Sequence, residues 1–177
     1  MDIHIRRLEP NDDRTGFDCG NIDLNRFFQR FAGQNQFKHF IGASYVALSN
    51  DHITGFVTVT SGELTAEKRP VAFLKKFPTY PLPVLRIARL AVDNHFQGYG
   101  IGHQLLRSMF ELAMEMQQRT GCVGVVVDAK PEAVAFYETL GFCTLNIVKG
   151  ALGDRPQPAS MFLPIRQITI AAEKSKS

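Results

Sequence analysis

Residues 89–102 read "RLAVDNHFQGYGIG", and this stretch decides how the rest of the chain is read. Apolar letters run up to Val92, a short polar stretch follows, and Gly98, Gly100 and Gly102 then crowd together. From Gly100 to about Arg119 the pattern is helical, with Ile101, Leu105, Met109, Leu112 and Met116 on one face. The glycines therefore stand where a strand ends and a helix begins. A helix N-terminus leaves its first four or so N–H groups unpaired and carries roughly half a unit of positive charge. Glycines let a loop turn those donors toward an anion at close range. The spacing suggests a phosphate cradle, although a glycine-rich turn that only lets the helix pack is the plainer alternative. It is not the G-x-x-x-x-G-K-[ST] loop, because no lysine follows the glycines. It also fits the dinucleotide fingerprint poorly, being spaced G-x-G-x-G after a strand that comes late in the chain.

Working outward, a chain of 177 residues predicts one domain with a core of its own. Hydrophobic residues make up 45%, which excludes a disordered chain. We expect a single domain over residues 1–170 and a solvated tail over 171–177, "AAEKSKS". The net charge of +3 is too small to announce a nucleic-acid binder, yet it leaves room for a local basic face. Cys19, Cys122 and Cys143 have an odd count and no metal-ligand spacing, so they read as structural thiols in a reducing compartment, with no metal. The charged start "MDIHIRRLEPNDD" is unlike a signal peptide, and no apolar run reaches the roughly 20 residues that cross a membrane. The expectation is a soluble cytoplasmic protein.

"IHIRRL" predicts a first strand, and "NIDLNRFFQRFAG" a helix capped by Asn21 with Ile22, Leu24, Phe27, Phe28 and Phe31 on a broad apolar face. "GASYVALS" and "ITGFVTVTS" flank Asn50, Asp51 and His52 and read as an antiparallel hairpin. Residues 62–83 carry four prolines and mixed charge, which predicts a long loop. "VLRIARLAVD" is the strand before the glycines. "GCVGVVVDA" is a strand covered on both faces. "PEAVAFYETLG" is a helix with Pro131 at its first position and Gly141 just past its end. In it, Ala133, Phe136 and Leu140 turn toward the sheet and Tyr137 lies at the margin. "FCTLNIV" and "ASMFLPIRQITI" close the chain as strands. The strand–helix–strand unit over 84–128 implies a right-handed crossover between parallel neighbours, so the class is mixed α/β.

Two motifs then carry a resemblance. Gln97-Gly98-Tyr99-Gly100-Ile101-Gly102 matches Q/R-x-x-G-x-G/A, and "AVAFYETLGF" follows at the right distance. Together they resemble the GNAT superfamily of acyl-CoA N-acyltransferases over about residues 84–145. A narrower likeness, through "FDCGNIDLNRFF" and "IARLAVDNHFQGYGIGHQLL", is to the GNAT toxins of bacterial toxin–antitoxin pairs. The resemblance implies the GNAT fold: a mixed, mostly antiparallel sheet splayed between two central parallel strands, with helices on both faces. It implies acetyl-CoA as donor, its pyrophosphate on the N–H groups of Gln97, Gly98, Tyr99, Gly100, Ile101, Gly102 and His103. The pantetheine arm would pair with the backbone of Leu90, Ala91 and Val92, whose apolar side chains are expected in the core. The backbone N–H near Val92 would face the thioester carbonyl, and Tyr137 would be the acid for the leaving thiolate. It further implies aminoacyl-tRNA as acceptor, a ribbon-helix-helix antitoxin as partner, and a homodimer.

The residues themselves leave the acceptor open. A free α-amino group titrates at about 7.7–8.0 and needs little help from a base, whereas a lysine amine, at about 10.4, needs more. Glu63 is only a weak candidate base. Basic residues gather at Arg26, Arg30, Lys38 and His39, again at Lys68, Arg69, Lys75 and Lys76, and at Arg86 and Arg89. Arg26, Arg30, Lys38 and Arg89 are the candidate tRNA contacts, and an ordinary solvated surface is the alternative. A small-molecule amine, a protein terminus or lysine as acceptor, or a silent acyl-CoA-binding module, also remain open.

Overall fold

The computed structural model describes residues 1–69, 72, 76–145 and 159–174, the last four by backbone alone. They fall into two compact units, Met1–Thr60 with Ile87–Glu111, and Ser61–Arg86 with Leu112–Ser177. Seven strands make a mixed sheet in the order β1-β2-β3-β4-β5-β7-β6.

In the first unit β1 (His4–Arg7) pairs antiparallel with β2 (Ala43–Ser49), which pairs antiparallel with β3 (His52–Leu64). The hairpin turn is Asn50–Asp51, with φ of 47° and 64°. Asn and Asp tolerate this left-handed conformation, and a two-residue turn of that hand matches the twist of the strands. The register slips after Ala47: Ala47 pairs with Gly55 but Leu48 with Ile53, which leaves Thr54 as the extra residue of a bulge.

The predicted helix runs over residues 22–39 and is designated α1. Asn21 caps it as expected, its Oδ1 accepting from the Leu24 N–H at 3.0 Å. Its predicted face is only half right, because Ile22 and Phe31 are 74% and 45% exposed. The cause is local. Turns Phe27–Phe31 and Asn35–His39 are π-helical and alternate with α turns Ile22–Arg26 and Ala32–Gln34. That mixture widens the mean turn to about four residues. The buried row is therefore Phe28, Ala32 and Gln36, spaced by four. The ring of Phe28 stacks on Phe56 with centroids 4.2 Å apart, and Phe17 meets both edge-on. Buried Gln36 bridges two backbones, donating to the Leu8 carbonyl at 2.9 Å and accepting from the Ser44 N–H at 2.7 Å.

β4 (Leu82–Val92) leads to a 3-10 turn at Asn94–Phe96 and then to α2 (Ile101–Arg119). The stripe of α2 is buried at Ile101, Leu105, Leu106, Met109 and Ala113, with Leu112 and Met116 on its flank. A side chain on Gly55 would press on the Ala91 carbonyl and on Ile101 and Leu105, so glycine there permits the helix to approach.

In the second unit β5 (Gly124–Ala129) pairs antiparallel with β7 (Ala159–Pro164), and β7 with β6 (Cys143–Thr144). Val125, Val126 and Val127 are all buried, as the apolar run predicted for a strand covered on both faces. Between β5 and β6 lies α3 (Val134–Thr139), entered through a 3-10 turn at Pro131–Ala133 and closed by Gly141 at φ 94°. The expected strand "FCTLNIV" is strand at Cys143–Thr144, and its residues 146–148 lie outside the described residues. "ASMFLPIRQITI" is corrected: the strand stops at Pro164 and Ile165–Lys174 forms α4. Alternation would place Ile168 and Ile170 on one face, yet Ile168 is 3% and Ile170 51% exposed, as helical spacing requires. The backbone of 171–174, expected as tail, is part of that helix; residues 175–177 lie outside the described residues.

Candidate active site

The glycine loop belongs to the first unit. Gly98 and Gly100 have φ of 83° and 76°, and a Cβ at either would meet nothing within 4 Å. Conformation, then, and not crowding is what demands glycine here. Gln97, Gly98, Tyr99, Gly100 and His103 are exposed, Ile101 is buried and Gly102 half-buried. Gln104 N–H is the first to close an intrahelical bond, onto the Gly100 carbonyl at 3.1 Å. Among the described residues the Gly100 amide has no protein acceptor. An exposed turn with open space at Gly98 and Gly100, at the positive end of a nineteen-residue helix, suits a diphosphate.

The strand before the loop differs from expectation in its side chains. Ala91 is buried at 7% and packs with Phe56 and Phe28, while Leu90 and Val92 are half-buried. Pleating explains this: neighbours alternate faces, and the core of this unit lies on the Ala91 face. The Gln97 side chain donates to the Val92 carbonyl at 3.2 Å, a bond the sequence did not announce. Asp93 is a second residue that the sequence left unassigned. Its carboxylate is 6% exposed and accepts from the Asp18 and His95 amides, both at 3.0 Å. Burial pushes its pKa up, but those amides and the His95 ring outweigh it, and the net shift is down. An Asp two residues ahead of the amide whose N–H it accepts is the ordinary cap signal, and it was there to be read.

Tyr137 belongs to the second unit and is not marginal. It is 5% exposed, whereas Ala133, Phe136 and Leu140 are half-buried. The 3-10 entry at Pro131–Ala133 advances about 120° per residue, against 100° in an α-helix, and so rotates the register. Phe136 and Phe142 meet the Tyr137 ring edge-on at 5.2 and 5.3 Å. Burial pushes the phenol up to about 12, so it keeps its proton at every physiological pH.

The basic residues divide. Arg26, Arg30 and Lys38 are exposed on α1 at intervals of four and eight, so the widened turn of this helix sets them in one straight row opposite Phe28, Ala32 and Gln36. Among the described residues none of the three has an ion-pair partner. Arg89 is different: its guanidinium lies 3.7 Å over the Phe27 ring, and burial pulls its pKa down. The second expected cluster is not held together at the surface through Arg69: Lys76 is exposed and Lys68 half-buried. Arg69 is 1% exposed and donates to the carbonyls of Leu64, Pro78 and Tyr80, clamping the proline-rich loop; Lys75 lies outside the described residues. Arg86 pairs with Asp128 at 2.8 Å. Glu63 is exposed on β3. The described residues hold no cluster of three or more potential metal ligands, and no helix among them is long and apolar enough to cross a membrane.

Comparison with known proteins agrees with this geometry. Residues 41–144 match the acetyltransferase (GNAT) domain family. A tRNA-acetylating toxin of Mycobacterium tuberculosis is 31% identical over 140 residues, 77% of this chain and 82% of the relative. The solved structure of AtaT complexed with acetyl-methionyl-tRNAfMet superimposes with a TM-score of 0.83 at 25% identity, covering 97% of this chain and 99% of that one. AtaTR bound with AcCoA does so with a TM-score of 0.77 at 26% identity, over 97% of this chain and 98% of that one. The chain belongs to the GNAT family of acetyltransferases.

Proposed function

We propose that this acetyltransferase moves acetyl from acetyl-CoA to the α-amino group of aminoacyl-tRNA, and so acts as a translation-blocking toxin. The observation that carries the reading is the open glycine turn, with Gly98 and Gly100 at positive φ just ahead of α2. Its donors fit a diphosphate, and the Mycobacterium tuberculosis relative and the AtaT complex supply the class of acceptor.

Each residue has a part in this reading. The N–H groups of Gln97, Gly98, Tyr99, Gly100, Ile101, Gly102 and His103 hold the phosphates. The backbone of Leu90, Ala91 and Val92 holds the pantetheine arm, and a preorganised N–H near Val92 steadies the thioester oxygen as charge grows on it, worth about 3 kcal/mol. An α-amine needs no strong base, which fits a site without a buried, unpaired carboxylate among the described residues. Tyr137, held neutral by burial, offers its O–H to the departing thiolate. Arg26, Arg30 and Lys38 contact the nucleic-acid backbone, and Arg89 braces the first unit or meets the acceptor. Residues 1–170 act as one catalytic domain that needs no metal, works in the cytoplasm as a homodimer, and is restrained by a ribbon-helix-helix antitoxin.

The test is to incubate the protein with labelled acetyl-CoA and charged tRNA. Label on the aminoacyl group supports the reading. Label only on free polyamines or proteins would replace it with the small-amine or protein-directed alternative.

A further inference from the structure

We infer that Asp93 is a positioning residue that locks the cofactor loop against the entry to α1. The inference rests on the function proposed above, and it concerns a side chain with no role there.

The lock has several members, all in the first unit. The bulge at Thr54 frees its carbonyl from the β2–β3 ladder, and that carbonyl accepts the Asp93 N–H at 2.9 Å. This ends β4 and turns the chain out of the sheet. One Asp93 oxygen then accepts from the His95 N–H at 3.0 Å, capping the 3-10 turn that leads to Gln97. The other accepts from the Asp18 N–H at 3.0 Å, and the Asp18 carbonyl takes the Asn94 N–H at 2.8 Å in return. Asp18 is itself tied to α1. Its Oδ1 accepts from Asn25 Nδ2 at 2.8 Å and from the Gly20 N–H at 2.9 Å, and Asn25 Oδ1 accepts from the Cys19 N–H at 2.9 Å. Two loops that are 75 residues apart in sequence are thus stitched by reciprocal bonds. The His95 ring also reaches Asp93 at 3.0 Å, but its side chain is 85% exposed, so the two amides are the enduring partners.

A cradle made of glycine backbone has no side chains of its own to hold its shape. Its amides serve as a preorganised site only if the stalk below them is fixed. Asp93 is the buried residue in that stalk. Exchanging its carboxylate for an amide leaves one of these two part-buried N–H groups without an acceptor and lets residues 94–103 sample other conformations, which lowers affinity for the donor before it touches the chemistry.

The experiment compares wild type with Asp93→Asn, which keeps size and turns one acceptor into a donor. We expect the KM for acetyl-CoA to rise about tenfold, the free energy of one hydrogen bond lost from a charged acceptor. The expected kcat and KM for the acceptor stay within about twofold. Coenzyme A affinity measured by calorimetry on the folded fraction should fall in step, and amide exchange at 97–103 without ligand should quicken. An unchanged coenzyme A affinity, or an equal loss in both KM values, overturns the inference. If Asp93→Asn folds poorly, Asn25→Ala removes the outer stitch and should give the same pattern more weakly; unaltered exchange at 97–103 in that variant overturns it as well. Wild-type binding of coenzyme A tests the function itself, whereas the ratio of variant to wild type tests Asp93.

Discussion

The glycine loop and the tyrosine helix treat water in opposite ways. Residues 97–100 lie in solvent, and a side chain added at Gly98 or Gly100 would touch nothing. Tyr137 is buried between two phenylalanines. In the proposed mechanism the loop works through backbone groups whose direction is set by two positive φ angles, so any side chain that strains those angles harms it. In the proposed mechanism Tyr137 works through one O–H, which burial carries further from ionisation. A binding surface for a polyanion must stay open, and a proton donor for a thiolate must stay neutral; each region has the environment that its proposed task requires.

The sharpest way to break this contrast is at the hydroxyl. Tyr137→Phe should lower kcat at least about tenfold while leaving coenzyme A affinity and melting temperature near wild type. A near-normal rate removes Tyr137 from the mechanism. The next effect is at the acceptor. Replacing Arg26, Arg30 and Lys38 together by Ala should raise the KM for charged tRNA. It should also flatten the slope of log affinity against log salt by roughly 0.7–0.9 for each phosphate no longer neutralised. Acetylation of a small amine by the same variant should not change. An unaltered salt slope would make the row an ordinary solvated face. The smallest effect is in stability. The Tyr137 pKa is raised from 10.0 to about 12, so the folded state holds the proton more tightly. Its contribution is complete below pH 10 and is lost as pH rises through 12. Denaturant titrations should show a loss across that window in wild type and a smaller one in Tyr137→Phe.

The loop was legible because its chemistry is spelled in single letters. Glycines at an interval of two after an apolar run point to unusual backbone, which Gly98 and Gly100 have. The Asn21 cap and the Asn50–Asp51 turn were legible for the same reason. What escaped depended on rotation. The π turn at Phe27–Phe31 carried Phe31 toward solvent, and one 3-10 turn before α3 swung Tyr137 inward. No residue type marks such a turn, so a count at 3.6 residues per turn goes astray by a flank. Arg69 escaped differently, since a buried arginine donating to three carbonyls looks like any other arginine in sequence. Asp93 sat inside the deciding stretch, yet its partner Asp18 is far away in the chain, and no local pattern joins them.

Calorimetry with coenzyme A and with pantetheine, on wild type and on Gly100→Val, tests the central claim most directly. Gly100 has φ of 76° and open space around it, so the variant strains the turn without disturbing packing. If the loop amides hold the phosphates, Gly100→Val weakens coenzyme A about tenfold and leaves pantetheine unchanged. Equal affinity of wild type and variant for coenzyme A would contradict the account.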